Sequence, residues 1–156
     1  QLCSLDSKTV EKYVILLEQS YVIFRLNSFS RNLRNELKTS KKIYFYDNGI
    51  RNALIANFNQ IEGRADRGAL WENFLISERK KFLEYNRLWG NSWFWRTKEQ
   101  KEIDLVEERD GKITGYEFKW NPDQKVKIPR LFLDSYENSD FQVIHRNNCD
   151  SFLLEY

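Results

Sequence analysis

The stretch KEIDLVEERDGKITGYEFK, Lys101 to Lys119, decides how this chain is read. Asp110-Gly111 is a strong signal for a two-residue hairpin turn, because a turn of the primed type needs positive φ at both central positions, which Asp and then Gly tolerate. With those two residues as the whole loop, Arg109 faces Lys112. Counting back along both strands then sets Asp104 opposite Glu117 and Glu102 opposite Lys119. Side chains two apart share a face, so Glu102, Asp104, Glu117 and Lys119 are expected on one side of the sheet, with Ile103, Leu105, Tyr116 and Phe118 on the other. Two carboxylates opposed across a ladder repel by up to about 1 kcal/mol at an exposed site unless a proton or cation sits between them. A cation site is therefore the first hypothesis. The alternative is a solvated sheet face, which alternates in the same way and which the hairpin alone favours. A longer loop would also shift the register and separate the two acids.

Composition narrows the field. An aromatic content of 15 %, with five Trp and eleven Phe, provides for a real core, and 31 % charged residues provide for a solvated surface. The 156 residues suffice for one ordinary domain or a compact one with a smaller module. No apolar run approaches a membrane span, and a cytoplasmic setting is expected. Cys3 and Cys149 stand at opposite ends without Cys-x-x-Cys spacing, which argues against a metal knuckle. His145 is the sole histidine, which argues against zinc-hydrolase and Ser-His chemistry, and no Gly-x-x-x-x-Gly-Lys phosphate loop is present. The chain starts at Gln1 and contains no Met, so a piece of a longer protein is expected. Residues 1–46 carry eight Lys or Arg against four acids, whereas the remainder carries 17 against 19. The front segment is the basic one, and nucleic acid, if bound, is expected to be gripped there first.

Read in order, Asp6 or Ser7 caps a helix to about Gln19, with Val10, Tyr13, Val14 and Leu17 at helical spacing. Tyr21–Leu26 and Ile43–Tyr46 read as strands separated by a basic excursion. Helix, strand, basic excursion and strand fit either the tail of a winged helix or an ordinary αββ packing unit. A short helix follows Asp47-Asn48-Gly49. Asp66 is placed to cap a long helix over about Arg67–Leu83, with Leu70, Trp71, Phe74, Leu75 and Phe82 on its buried side and Glu72 at the edge of that stripe. Ser92–Thr97 is an aromatic strand, a helix is expected over Pro129–Glu137, and Phe141–Arg146 is a last strand, with Phe152–Leu154 as a possible further one. The order implies an α/β fold with a central mixed sheet flanked by helices.

A helix bearing Glu72, a strand bearing Asp104 and a neighbouring strand bearing Glu117-x-Lys119 resemble the PD-(D/E)XK, restriction-endonuclease-like superfamily. The strings GALWENF, WFWRT, EIDLV and YEFKW, preceded by IYFYDNG, look like the nuclease-like domain of unknown function at the C-terminus of AAA-type ATPases, usually joined to the ATPase through a winged helix. The resemblance implies a partial winged-helix segment over 1–46, a nuclease-like domain over 47–156, and an ATPase domain in the same full-length chain. It implies catalytic roles for Asp104, Glu117, Lys119 and Glu72, with Mg²⁺ or Mn²⁺ held by Asp104 and Glu117, as hard cations prefer oxygen. DNA is the implied partner, with Lys8, Lys12, Arg31, Arg34 and Arg96 as phosphate-contacting candidates. Glu102 is the rival partner for Lys119. The alternative function is a catalytically inactive docking or regulatory module of the ATPase, with the acids as relics.

Overall fold

The computed structural model describes residues 5–31 and 40–154. Its centre is the hairpin of β4 (Glu102–Arg109) and β5 (Lys112–Phe118). Asp110 and Gly111 take φ of 49° and 76°, so both central residues are left-handed, and Arg109 pairs with Lys112 as the primed turn requires. β3 (Asn91–Arg96) lies antiparallel to β4 on one side, and β6 (Ser139–Ile144) lies parallel to β5 on the other, giving the order β3-β4-β5-β6. A parallel neighbour requires a crossover, and the segment carrying a short helix, Arg130–Ser135, supplies it. The result is the expected α/β fold with a four-stranded mixed sheet flanked by helices.

In chain order the helices are α1 (Ser7–Gln19), α2 (Asn48–Leu54), α3 (Arg67–Tyr85), α4 (Arg130–Ser135) and α5 (Cys149–Leu154). Leu105, Tyr116 and Phe118 pack in one apolar cluster with Trp71, Leu75 and Ile76 of α3 and Phe152 of α5. Ile103, Val106 and Ile113 pack in a second cluster with Trp95, Phe132 and Tyr136. Phe94, Phe132, Leu75 and Ile103 are almost completely buried, each contributing about 1.5–3 kcal/mol from removal of apolar surface from water. Ile103 and Leu105 therefore lie on different faces, against the expectation that they share one. The cause is a bulge: Trp93 pairs with Val106 but Trp95 pairs with Ile103, so Asp104 and Leu105 together oppose Phe94.

β1 (Ile23–Asn27) and β2 (Lys41–Phe45) form a separate antiparallel sheet. It joins the main sheet through a parallel bridge between Ser28 and Phe94 and a 2.7 Å hydrogen bond from the Phe29 N–H to the Phe94 carbonyl. β1 begins later than expected because Tyr21 takes φ of 55°, outside extended backbone. Asp6 caps α1 as expected, accepting from the N–H groups of Lys8 and Thr9 at 3.0 Å. Asp66 does not cap α3 through its side chain; its carboxylate is held instead by Arg51 at 2.7 Å and Arg64 at 2.8 and 2.9 Å. Phe74, expected inside, is 37 % exposed and stacks on Trp71. Phe152–Leu154 belongs to a helix rather than a strand, since a three-residue apolar run has no readable period. No helix among the described residues is long and apolar enough to cross a membrane.

Candidate active site

The β4–β5 ladder runs from Arg109–Lys112 to Leu105–Tyr116 and stops there. β4 continues beside β3 as far as Glu102–Arg96, and β5 continues beside β6 as far as Phe118–Ile144. The sheet thus opens as a fork, with β3–β4 as one arm and β5–β6 as the other. Asp104 stands in the opening: its Oδ2 accepts the Phe118 N–H at 2.9 Å, a side chain taking a donor that the ladder no longer pairs. On the other arm the Lys119 N–H donates to the Ile144 carbonyl at 2.9 Å, which fixes the backbone beside Glu117.

Glu117 alternates with Tyr116 and Phe118 and so belongs to the face away from α3. There it lines a cavity of about 540 Å³ together with Trp95, Lys101, Glu102, Lys119 and the segment 124–131. Lys119 Nζ lies 2.6 Å from Glu117 Oε1. The expected quartet on one face is therefore corrected. The bulge turns Asp104 toward α3, and the fork, rather than a shared face, brings it near Glu117. The expected opposition of Glu102 and Lys119 is also corrected, because Glu102 is paired with Arg96 and with Lys42, leaving Lys119 to Glu117.

On the α3 side, Lys42 of β2 places its ammonium 2.9 Å from Glu72 Oε1 and 3.7 Å from Asp104 Oδ1, in direct contact with Glu102. The Tyr44 hydroxyl donates to the same Glu72 oxygen at 2.6 Å. Burial and the charges of Glu72 and Glu117 push the Asp104 carboxyl up to about 7. Burial pulls on Lys42 in the opposite sense to its acidic neighbours, and the charges of Glu72, Glu102 and Asp104 prevail, holding its pKa above the usual lysine range. Tyr44 is raised far above an ordinary phenol by burial and by the Glu72 carboxylate.

Among the described residues, no group of three or more His, Cys, Asp or Glu is placed to hold a metal ion. Asp104 in the fork and Glu117 at the cavity nevertheless offer hard oxygen donors that suit Mg²⁺, which binds through one or two carboxylates and keeps waters or phosphate oxygens in its remaining positions. Asp104 and Glu117 would hold such an ion.

The phosphate-contact candidates are dispersed. Lys8 and Lys12 are exposed on α1. Arg31 is bonded to Glu108 at 2.5 and 2.8 Å and lies over the Phe29 and Trp93 rings. Arg96 is tied to Glu102, and Arg34 lies outside the described residues. None of the four described ones lines the cavity beside Glu117, whose cations are Lys101, Lys119, Lys125, Lys127 and Arg130. Lys42 and Tyr44 were also not singled out from sequence. The available signal was the alternation in KKIYFY, which puts Lys42 and Tyr44 on one face of a strand. A larger cavity, about 770 Å³ and lined by Arg79, Arg109 and Tyr116 among others, includes none of the four catalytic candidates.

Residues 67–150 match the family described as Domain of unknown function (DUF4143), and residues 1–61 match another described as Domain of unknown function (DUF8612). Uncharacterized protein Rv2008c of Mycobacterium tuberculosis and Uncharacterized protein Mb2031c of Mycobacterium bovis are each 29 % identical over 113 residues, or 71 % of this chain. The chain spans about a quarter of the length of these curated relatives, the aligned share being 25 %. No solved structure matches it.

Proposed function

Because the chain belongs to the DUF4143 family, to which no function is assigned, we propose from its own chemistry that it is a metal-dependent, nuclease-like phosphodiesterase domain acting on DNA. The observation that carries this reading is the fork, where Asp104 and Glu117 stand on separate arms of the sheet, near enough for the charge of one to act on the other, with the Lys119 ammonium 2.6 Å from Glu117. Five cations line the adjoining cavity against the two acids Glu102 and Glu117, a balance suited to a phosphodiester backbone. A divalent ion at Asp104 and Glu117 would neutralise phosphoryl charge and lower the pKa of a water. Such an ion also favours the charged form of Asp104, which burial and its acidic neighbours disfavour. Lys119 orients the attacking water or stabilises the pentavalent phosphate by charge-assisted hydrogen bonding. Lys125 and Lys127 bind the flanking phosphates. The reading includes an ATPase domain in the same full-length chain and a cytoplasmic setting.

Supercoiled plasmid incubated with the domain and Mg²⁺ or Mn²⁺ tests it. Nicking is expected, with Asp104→Ala and Glu117→Ala inactive and Lys119→Ala slowed by about 10²–10³-fold. Equal nicking by wild type and Asp104→Ala would sink the proposal.

A second reading, a catalytically inactive docking or regulatory module, has one observation in its favour: Lys42 and Lys119 already neutralise the acids of the fork. Absence of cleavage by the full-length protein with ATP, Mg²⁺ and Mn²⁺ all present selects that reading.

A further inference from the structure

Lys42 reaches the acidic site from outside the hairpin. β2 carries it, and α3 holds β2 in place: the Asn73 side-chain amide accepts from the Phe45 N–H at 2.8 Å and donates to the Phe45 carbonyl at 2.9 Å. The Lys42 side chain is 19 % exposed, and its ammonium lies over the Phe94 ring, 5.5 Å from the centroid. It meets carboxylates of Glu72, Glu102 and Asp104, from α3 and β4.

Glu72 is the carboxylate on α3 that could add a further ligand to a metal on the fork. Its Oε1 now accepts from both Lys42 and Tyr44, so the lone pairs of that oxygen are used. A divalent ion coordinated by that oxygen would have to displace the ammonium and the hydroxyl proton. An ion on the other Glu72 oxygen would still lie beside the Lys42 ammonium, which is 2.9 Å from Glu72 and in direct contact with Glu102 but 3.7 Å from Asp104, and would meet a like charge in a partly dehydrated site, where repulsion is stronger than in water.

We propose that Lys42 is a resident cation that engages Glu72 and Glu102, opposes a second divalent ion on them, and so limits the fork to one divalent ion on Asp104 and Glu117. The position of that single ion rests on the function proposed above, whereas the part played by Lys42 does not. Lys42 acts through the carboxylates and is a positioning residue. The N-terminal strand pair thereby sets the metal stoichiometry of a site built on the main sheet.

The test is Mn²⁺ binding to the nucleic-acid-free protein, followed by isothermal titration calorimetry and by the electron paramagnetic resonance signal of free Mn²⁺. Wild type is expected to bind one ion, Lys42→Gln two, and Lys42→Arg, which keeps the charge, one. Two ions on wild type, or one on a folded Lys42→Gln, overturns the proposal. No ion on wild type but at least one on Lys42→Gln upholds the role of Lys42 and removes the Asp104–Glu117 reading. No binding by either overturns both. Should Lys42→Gln not fold, Glu72→Gln decides: Lys42 remains on Glu102, and Mn²⁺ affinity is expected to stay within twofold of wild type. A tenfold loss would make Glu72 a ligand and overturn the proposal.

Discussion

Asp104 is held where its charge is unwelcome. Its carboxylate takes one backbone N–H, yet burial and the charges of Glu72 and Glu117 outweigh that bond and lift its pKa to about 7. An unfolded aspartate titrates near 3.9, so between about pH 4 and pH 7 the folded protein binds the extra proton. The sign follows from linkage: the stability tied to this proton is complete below about pH 4 and is lost as pH rises through about 7. Asp104→Asn keeps an acceptor for the Phe118 N–H and removes the charge. Without metal, its stability advantage over wild type is expected to be small at pH 4.5 and larger at pH 8. Urea midpoints at the two pH values measure it, and an advantage that shrinks with rising pH contradicts the stated environment. Saturating Mg²⁺ should reverse the ranking at pH 8, because only the wild-type carboxylate gains from the cation.

Helix α3 organises the site through its polar positions as much as through its apolar stripe. Trp71, Leu75 and Ile76 pack it in one cluster with the sheet and with Tyr44 of β2, while Glu72 and Asn73 fix the β2 strand and its Lys42. Asn73 is 4 % exposed, and both hydrogens of its Nδ2 are used, one on the Phe45 carbonyl and one on the Asn48 side-chain oxygen. Asn73→Ala leaves backbone groups of Phe45 without these partners at a cost of about 1–3 kcal/mol. Equilibrium urea denaturation is expected to report that loss, with faster hydrogen exchange at the Phe45 amide. An unchanged exchange rate there would show that β2 is held by something other than this side chain. Farther along α3, Arg79 forms a buried pair with Glu107 of β4 and donates to the Phe152 carbonyl at 2.6 Å, tying α3, the sheet and α5 together.

Charge across the folded chain is distributed differently from charge along the sequence. The excess of base in residues 1–46 pointed to the front segment as the nucleic-acid contact. In the fold, Arg25 of that segment is absorbed by Glu11 and Glu18, Arg31 by Glu108, and Lys42 by the acids of the fork. The cations lining the cavity beside Glu117 come mainly from the segment between β5 and α4, with Lys125 and Lys127 exposed. If this cavity takes the phosphodiester chain, Lys125→Ala/Lys127→Ala weakens binding to all duplex sequences alike. Each lost phosphate contact should reduce the slope of log affinity against log salt by about 1. Fluorescence anisotropy on a fluorescent duplex at several salt concentrations measures the slope. An unaltered slope in the double variant, with loss instead in Lys8→Ala/Lys12→Ala, would return the contact to the front segment.

The amino-acid order sufficed for whatever depends on near neighbours. Asp110-Gly111 set the turn and the Arg109–Lys112 register, the spacing of Leu70, Trp71 and Leu75 marked the long helix, and the sequence of elements implied a mixed sheet with helices on it. The nearness of Asp104 to Glu117 was legible only as a count along two strands. The bulge opposite Phe94 and the fork beyond Leu105–Tyr116 depend on how β3 and β6 draw the two strands apart, and no local pattern records that. Lys42 illustrates the same limit. Thirty residues separate it from Glu72 and sixty-two from Asp104, and their meeting is decided by the docking of a second small sheet on α3. Period and propensity act over a few residues, whereas long-range packing chooses which charged side chains share a dehydrated space.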